Sequence, residues 1–185
     1  MESNVIKEAV RLDGGMVKEE LLALQVIAGK FVEGSTITNV GCFRGSSCII
    51  FLNAMKGKKA TFNLIDCFDI PGISLMSCQS CLGIPEFMSY IEPWIDRVNH
   101  KVNVIRANTL EMSEFPESDY MFLDAGHTKE CITNDVKLAK KAWTGNGFLM
   151  FHDYNQPSWA DVTVVIDANF DNLEIHRTLA VYYGD

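Results

Sequence analysis

Four short strings in this chain carry residue types able to do chemistry. Asp124-Ala-Gly-His127 and His152-Asp153-Tyr154-Asn155 each set a carboxylate within three residues of an imidazole. Paired carboxylates suit an oxygen-preferring divalent cation such as Mg²⁺. Histidine titrates near neutral pH, so His127 and His152 are candidates for general base or metal ligand. Gly41-Cys-Phe-Arg-Gly45, followed by Ser46 and Ser47, is a loop of another kind. Its glycines let the backbone approach a ligand closely, and a helix starting just after it offers N–H groups to a carboxylate or phosphate. Asp66 closes an apolar run, where a carboxylate can accept hydrogen bonds from a ribose diol. Each string also has a plainer role: a strand-to-helix turn for the glycines, a surface charge for Arg44, and caps for Asp66, Asp124 and Asp153. His100 and His176 stand apart from these strings and read as incidental.

The elements that must position these strings follow from periodicity. Val17, Leu21, Leu22, Leu24 and Ile27 fall on one helical face, predicting a helix over residues 16–31 within a helical N-terminal segment 1–34. The pattern then predicts a strand at 37–40 leading into the glycine loop, a helix at 46–55 and a strand at 60–65 ending at Asp66. A helix near 85–98, strands at 102–106 and 120–123, a helix at 128–143, a strand at 148–151 and a helix from 159 to about 170 complete the alternation. Strands alternating with helices imply a mainly parallel sheet covered on both faces, so the fold class is α/β. Residues 173–183 read equally as one strand or a hairpin, because no Asn-Gly or Asp-Gly turn marks a reversal. The stretch 68–84 exceeds usual loop lengths and is too apolar for a solvated linker, which reads as a lid.

Composition bounds the remaining possibilities. A chain of 185 residues with 48% hydrophobic content suits a single domain, 1–185. Its formal charge of −8 would repel a phosphate backbone, so no nucleic-acid partner is expected. Apolar runs stay short of the roughly 20 residues that span a bilayer, so no membrane partner is expected and the chain reads as soluble and cytoplasmic. Its cysteines read as reduced thiols: Cys78-Gln-Ser-Cys81 lacks the second pair at similar spacing that structural zinc would want. Oligomeric state is not legible.

The loop is not the dinucleotide fingerprint, which needs glycine where Phe43 and Ser46 stand, and it is not a phosphate-cradling GxxxxGK[ST] loop. The spacing GxxxGxS, the acid ending the second strand, and the strings LDAGH and HDY together resemble the class I S-adenosylmethionine-dependent methyltransferases, in particular the small-molecule O-methyltransferase branch. The resemblance runs from Thr36 to Tyr183. It implies a three-layer Rossmann-like sandwich with a seven-stranded sheet of order 3-2-1-4-5-7-6. It also implies S-adenosylmethionine as cofactor, its amino-acid end held by the loop. Gly41, Phe43, Arg44, Gly45 and Ser47 match the cofactor loop, Asp66 the acid at the ribose, and Asn108 the position beside the adenine. Asp124 and Asp153 match the carboxylates that hold Mg²⁺ or another divalent cation in metal-dependent members, with His127 and His152 flanking them. Two positions depart from the pattern: Asn39 and Asn108 stand where the family commonly has acids.

The reading that results is an O-methyltransferase acting on a small hydroxylated molecule, with Asp124, His127 and His152 at the reacting centre. Its alternatives are a non-catalytic nucleoside-binding or S-adenosylmethionine-binding module and a metal-dependent hydrolase. A substitution at Gly45 is expected to block cofactor binding and spare the fold.

Overall fold

Runs rich in β-branched and aromatic residues alternate with helical repeats, and the computed structural model, which describes residues 3–70 and 82–184, pairs those runs into a seven-stranded sheet. Its strands are β1 (Thr36–Val40), β2 (Ala60–Asp66), β3 (His100–Arg106), β4 (Ser118–Leu123), β5 (Trp143–Phe151), β6 (Glu174–His176) and β7 (Leu179–Tyr182). The spatial order is β3-β2-β1-β4-β5-β7-β6. From β3 through β5 the pairs are parallel, and β7 runs antiparallel to both of its neighbours. The order reverses between β1 and β4, so the crevice beyond their carboxyl ends is where a ligand site is expected in an open sheet.

Side chains alternate across the sheet with period two and build two cores. Tyr120, Phe122, Phe148 and Met150 belong to the core under α1 (Asn4–Leu12), α2 (Lys18–Ala28), α3 (Ser46–Ala54) and α4 (Ile84–Ile91). Met121, Leu123, Leu149 and Phe151 belong to the core under α5 (Lys129–Ala142) and α6 (Ala160–Asp167). The first core is deep: every residue of α3 from Ser46 to Leu52 is buried, because α1 and α2 pack over it from outside. The turn between those helices presses on the start of α3. A Cβ at Gly14 would lie 2.3 Å from the Ser46 hydroxyl oxygen, which itself donates to the Ala9 carbonyl at 3.0 Å. The N-terminal helices thus fix the helix start that follows the glycine loop.

The structure departs from the periodicity in three places and decides a fourth that the sequence left open. The N-terminal segment holds two helices, where one was expected. They are separated by a turn in which Asp13 (φ 52) and Gly15 (φ 84) take left-handed backbone. The helix expected to reach residue 98 ends at Ile91, because Pro93 cannot continue it and a 3-10 turn follows. The fifth strand begins at Trp143 rather than 148, its irregular start accommodated by Gly145 (φ 81) and Gly147 (φ 75). Residues 174–182 form a hairpin, and its turn takes positive φ from Arg177 (φ 60), a residue type that gives no turn signal. Most of the lid stretch, 71–81, lies outside the described residues, as do Cys78 and Cys81. The cysteines among the described residues are free thiols. No helix among the described residues is long and apolar enough to cross a membrane.

One buried acid costs the fold stability. Asp135 on α5 is 1% exposed and neither carboxylate oxygen has a hydrogen-bond partner. Burial raises its pKa from 3.8 to about 6, opposed weakly by the neighbouring Thr109 and Asn134. An acid whose pKa is raised in the folded state loses stability as pH climbs from about 4 to about 6, and the loss persists above. At 1.36 kcal/mol per pH unit the loss is roughly 3 kcal/mol at most. Asp135→Asn is therefore expected to raise Tm by several degrees at pH 8 and to leave it nearly unchanged at pH 4. An unaltered Tm at pH 8 would contradict this account.

Candidate active site

The glycine loop is shaped by left-handed backbone at Gly41 (φ 87), Phe43 (φ 46) and Gly45 (φ 89). At Gly41 no side chain is possible: a Cβ would fall 1.9 Å from the carbonyl oxygen of Asp124, so the loops after β1 and β4 meet there. At Gly45 a Cβ would lie 2.8 Å from the Ile91 side chain and 3.4 Å from the Phe87 ring. That contact corrects the expectation that Gly45 substitutions spare the fold, because they would push α4 away from the loop. Beyond Gly45, the first bond of α3 runs from Ile49 N to the Gly45 carbonyl. The N–H groups before it have no intrahelical partner, and such a helix N-terminus is a natural seat for a carboxylate.

Asp66 pins this loop. Its Oδ2 accepts from the backbone N–H of both Cys42 and Phe43 at 2.7 Å, and its Oδ1 accepts from Phe68 N at 3.1 Å and the Cys67 thiol at 3.3 Å. The carboxylate's acceptor positions are therefore already engaged, chiefly by backbone. Ser47 turns inward: its hydroxyl accepts from the Asn39 amide at 2.8 Å. Asn39, fully buried on β1, also donates to Cys48 and leaves its Oδ1 without a partner. The amide thus supports the helix start from below, and its unpartnered oxygen marks a polar floor under the loop. Arg44 leans over the Phe43 ring and toward Asp13. Asn108 caps the 3-10 turn after β3, accepting from Leu110 N and donating to Glu111.

On the other side of the switch point, the ends of β4 and β5 bring Asp124, His127, His152 and Asp153 together. His152 Nδ1 lies 3.1 Å from Asp124 Oδ1 and 3.2 Å from Asp153 Oδ2. Asp153 Oδ2 in turn bonds His127 Nε2 at 2.7 Å, and the His127 ring stacks on Trp159 with centroids 4.5 Å apart. A carboxylate only accepts, so His127 Nε2 carries a proton toward Asp153. The reach of Asp153 depends on a sharp exit from β5, with left-handed backbone at Asp153 (φ 58) and Asn155 (φ 60). The first of these is held by Tyr154 N donating to the Thr178 carbonyl, the second by Asn155 N donating to the Thr163 hydroxyl.

A residue that no string announced completes the cluster. Glu20 of α2 is 7% exposed and reaches His152 Nε2 at 3.4 Å. Its signal was a charge beside Leu21 and four residues before Leu24, inside the buried stripe of α2. Burial disfavours a charged His152, but Asp124 first, then Asp153 and Glu20, outweigh it and push its pKa up to about 12. Burial likewise works against the charge on Asp153, yet the bonds from His127 and His152 hold that carboxyl well below its usual range. Glu20 is lowered in the same way: burial opposes its charge, and His152, Thr178 and Val17 N outweigh it.

The donor atoms of Asp124, His152 and Asp153 lie within 4.8 Å of one another, close enough to surround an ion. For Mg²⁺ the set is a mixed one. That ion wants an octahedron of oxygens, whereas one donor here is a ring nitrogen whose N–H already bridges the two carboxylates. The imidazolium itself relieves the repulsion between the two acids.

A seven-stranded sheet of this order with helices on both faces and a glycine loop at its switch point defines the Rossmann-like methyltransferase fold. The family described as methyltransferase domain matches residues 38–154, and the chain belongs to that family. Among solved structures, the O-methyltransferase NovP superposes with TM-score 0.69 at 14% identity, covering 89% of this chain and 79% of that one. The O-methyltransferase TomG from Streptomyces achromogenes, in complex with SAM, gives 0.59 at 14% identity over 100% of this chain and 92% of its own. The SAH-bound Podospora anserina methyltransferase PaMTH1 gives 0.61 at 10% identity, covering 100% and 89%. At these identities the likeness is one of fold. No curated protein sequence matches the chain.

Proposed function

We propose that this protein is a cytoplasmic S-adenosylmethionine-dependent O-methyltransferase whose partner is a small hydroxylated molecule rather than a nucleic acid or a membrane. Bound S-adenosylmethionine supplies an electrophilic sulfonium methyl. The N-terminus of α3 would hold its amino-acid end, Asp66 would face the ribose while it keeps the loop amides in place, and Asn108 would serve the adenine side. The unpartnered Asn39 oxygen under the loop supports a polar ligand nearby.

The observation that carries the catalytic reading is the Asp153–His127 pair at 2.7 Å. Asp153 holds the Nε2–H, which would leave His127 Nδ1 to take the proton of a substrate hydroxyl whose oxygen accepts the methyl while the carbon–sulfur bond breaks and S-adenosylhomocysteine leaves. The imidazolium that forms is stabilised by the same carboxylate, and Trp159 holds the ring plane. Positioning and electrostatics supply the rest of the rate.

Titration with S-adenosylmethionine and S-adenosylhomocysteine, followed by turnover on a panel of phenols and sugar hydroxyls, tests the reading. Binding without turnover would leave a binding module, and absence of both would leave neither. In this reading the reaction runs without Mg²⁺. Millimolar Mg²⁺ is expected to leave Tm unchanged and chelators to leave the rate unchanged. A Tm rise on adding Mg²⁺ that Asp153→Asn abolishes would restore the cation.

A further inference from the structure

We infer that Glu20, on the N-terminal helix α2, is a positioning residue of the reacting centre, and that with Thr178 of the β6–β7 turn it fixes the ring of His152 between Asp124 and Asp153. The inference rests on the methyltransferase reading above and adds to it a segment that lies outside the matched family residues.

The contacts form a continuous chain. Glu20 Oε2 faces His152 Nε2 at 3.4 Å, and the opposite nitrogen of that ring meets Asp124 and Asp153. Asp153 then holds His127, the proposed base. An imidazole gripped at both nitrogens cannot rotate about its χ2 axis, so the carboxylates it touches are fixed as well. Glu20 is itself fixed by two donors: Val17 N bonds Oε2 at 2.8 Å and the Thr178 hydroxyl bonds Oε1. Thr178 also accepts from Tyr154 N through its carbonyl, at 2.9 Å, which ties the same turn to the exit of β5.

The plainer role for Glu20 is to cap α2, since its carboxylate at the third helical position accepts from the N-cap N–H. A cap does not require burial, and a solvated glutamate would serve equally. Here the carboxylate is 7% exposed, and its second oxygen is spent on a residue 158 positions away in sequence. That cost is recovered only through the charged cluster it faces.

Three variants test the inference on the full chain: Glu20→Ala, Glu20→Gln and Thr178→Val. At a temperature where each is folded, Glu20→Ala is expected to lower kcat about 10- to 100-fold, as small misplacements at a reacting centre do, with KM for the methyl donor unchanged. Glu20→Gln keeps an acceptor for His152 Nε2–H and should recover most of that loss. Thr178→Val should lower kcat in the same direction by less, which keeps the inference testable if Glu20→Ala does not fold. Proton NMR supplies a readout free of activity. The downfield Nε2–H signal of His152, assigned through its loss in His152→Gln, should be present in the wild type and in Glu20→Gln and absent in Glu20→Ala. A kcat unchanged in Glu20→Ala or Thr178→Val, a Glu20→Gln no better than Glu20→Ala, or a His152 signal indifferent to Glu20 would each overturn the inference. A protein with no methyl transfer but the expected NMR pattern would overturn the functional reading and keep the positioning contact.

Discussion

His127→Asn is expected to lower the rate of methyl transfer by about 10²- to 10⁴-fold, the range general-base catalysis contributes, while S-adenosylhomocysteine affinity stays within about twofold. Asparagine preserves a donor toward Asp153 and so disturbs the cluster little, but it offers no lone pair able to hold a proton. The loss should therefore fall on kcat. His127 is the member of the cluster suited to this task because its Nε2 is engaged at 2.7 Å while its ring stacks on Trp159. His152 is not: both its nitrogens face carboxylates and its pKa is pushed up to about 12, so it holds its proton throughout the neutral range. A variant at His127 that keeps its rate within about threefold would remove the base from the mechanism. Substrate would then have to arrive already ionised or lose its proton to water.

That division of labour between the two histidines was only half legible in the sequence. The strings placed Asp124, His127, His152 and Asp153 at strand ends, and the alternation of elements gave the α/β class, because both depend on local spacing. What each histidine touches depends on contacts across long stretches of chain. His152 is defined by Glu20, 132 residues earlier. The hairpin at Arg177 and Thr178 was hidden because a non-glycine residue supplies the positive φ. The first helix was lost for a different reason, since its short stripe of Val5, Ile6, Ala9 and Leu12 was not separated from the segment that follows. Asn39 looked like a lost ligand acid, yet it lies under the loop and donates to Ser47, a role that sequence position cannot distinguish from direct binding. The metal expectation meets a competing countercharge of the same long-range kind. Two acids at neighbouring strand ends suggested a cation, and only the placement of the His152 ring showed that the countercharge is already in the chain.

Asp66→Ala is expected to weaken S-adenosylhomocysteine binding by about a hundredfold or more, a larger loss than removal of ribose bonds alone would give. A charge-assisted bond contributes roughly 1.5–3 kcal/mol, and each 1.4 kcal/mol is tenfold in affinity. Asp66 makes two such bonds to the loop, from Cys42 N and Phe43 N, before any ligand arrives. Part of that loss is returned by water, which can reach a half-exposed loop, so the two contributions do not simply add. The loop would still form its left-handed turns, since these rest on Gly41 and Gly45, but Phe43 at φ 46 would lose the bond that holds it there. Binding would then have to order the loop as well as occupy it, and affinity would fall by the fraction of molecules with the loop in place. Hydrogen exchange separates the two accounts. If Asp66 pins the loop, the Cys42 and Phe43 amides should exchange faster in the ligand-free Asp66→Ala protein than in the ligand-free wild type. If Asp66 serves only the ribose, their exchange should be unchanged and the affinity loss confined to about tenfold. An affinity within threefold of wild type would show that neither the pin nor the ribose contact matters to binding.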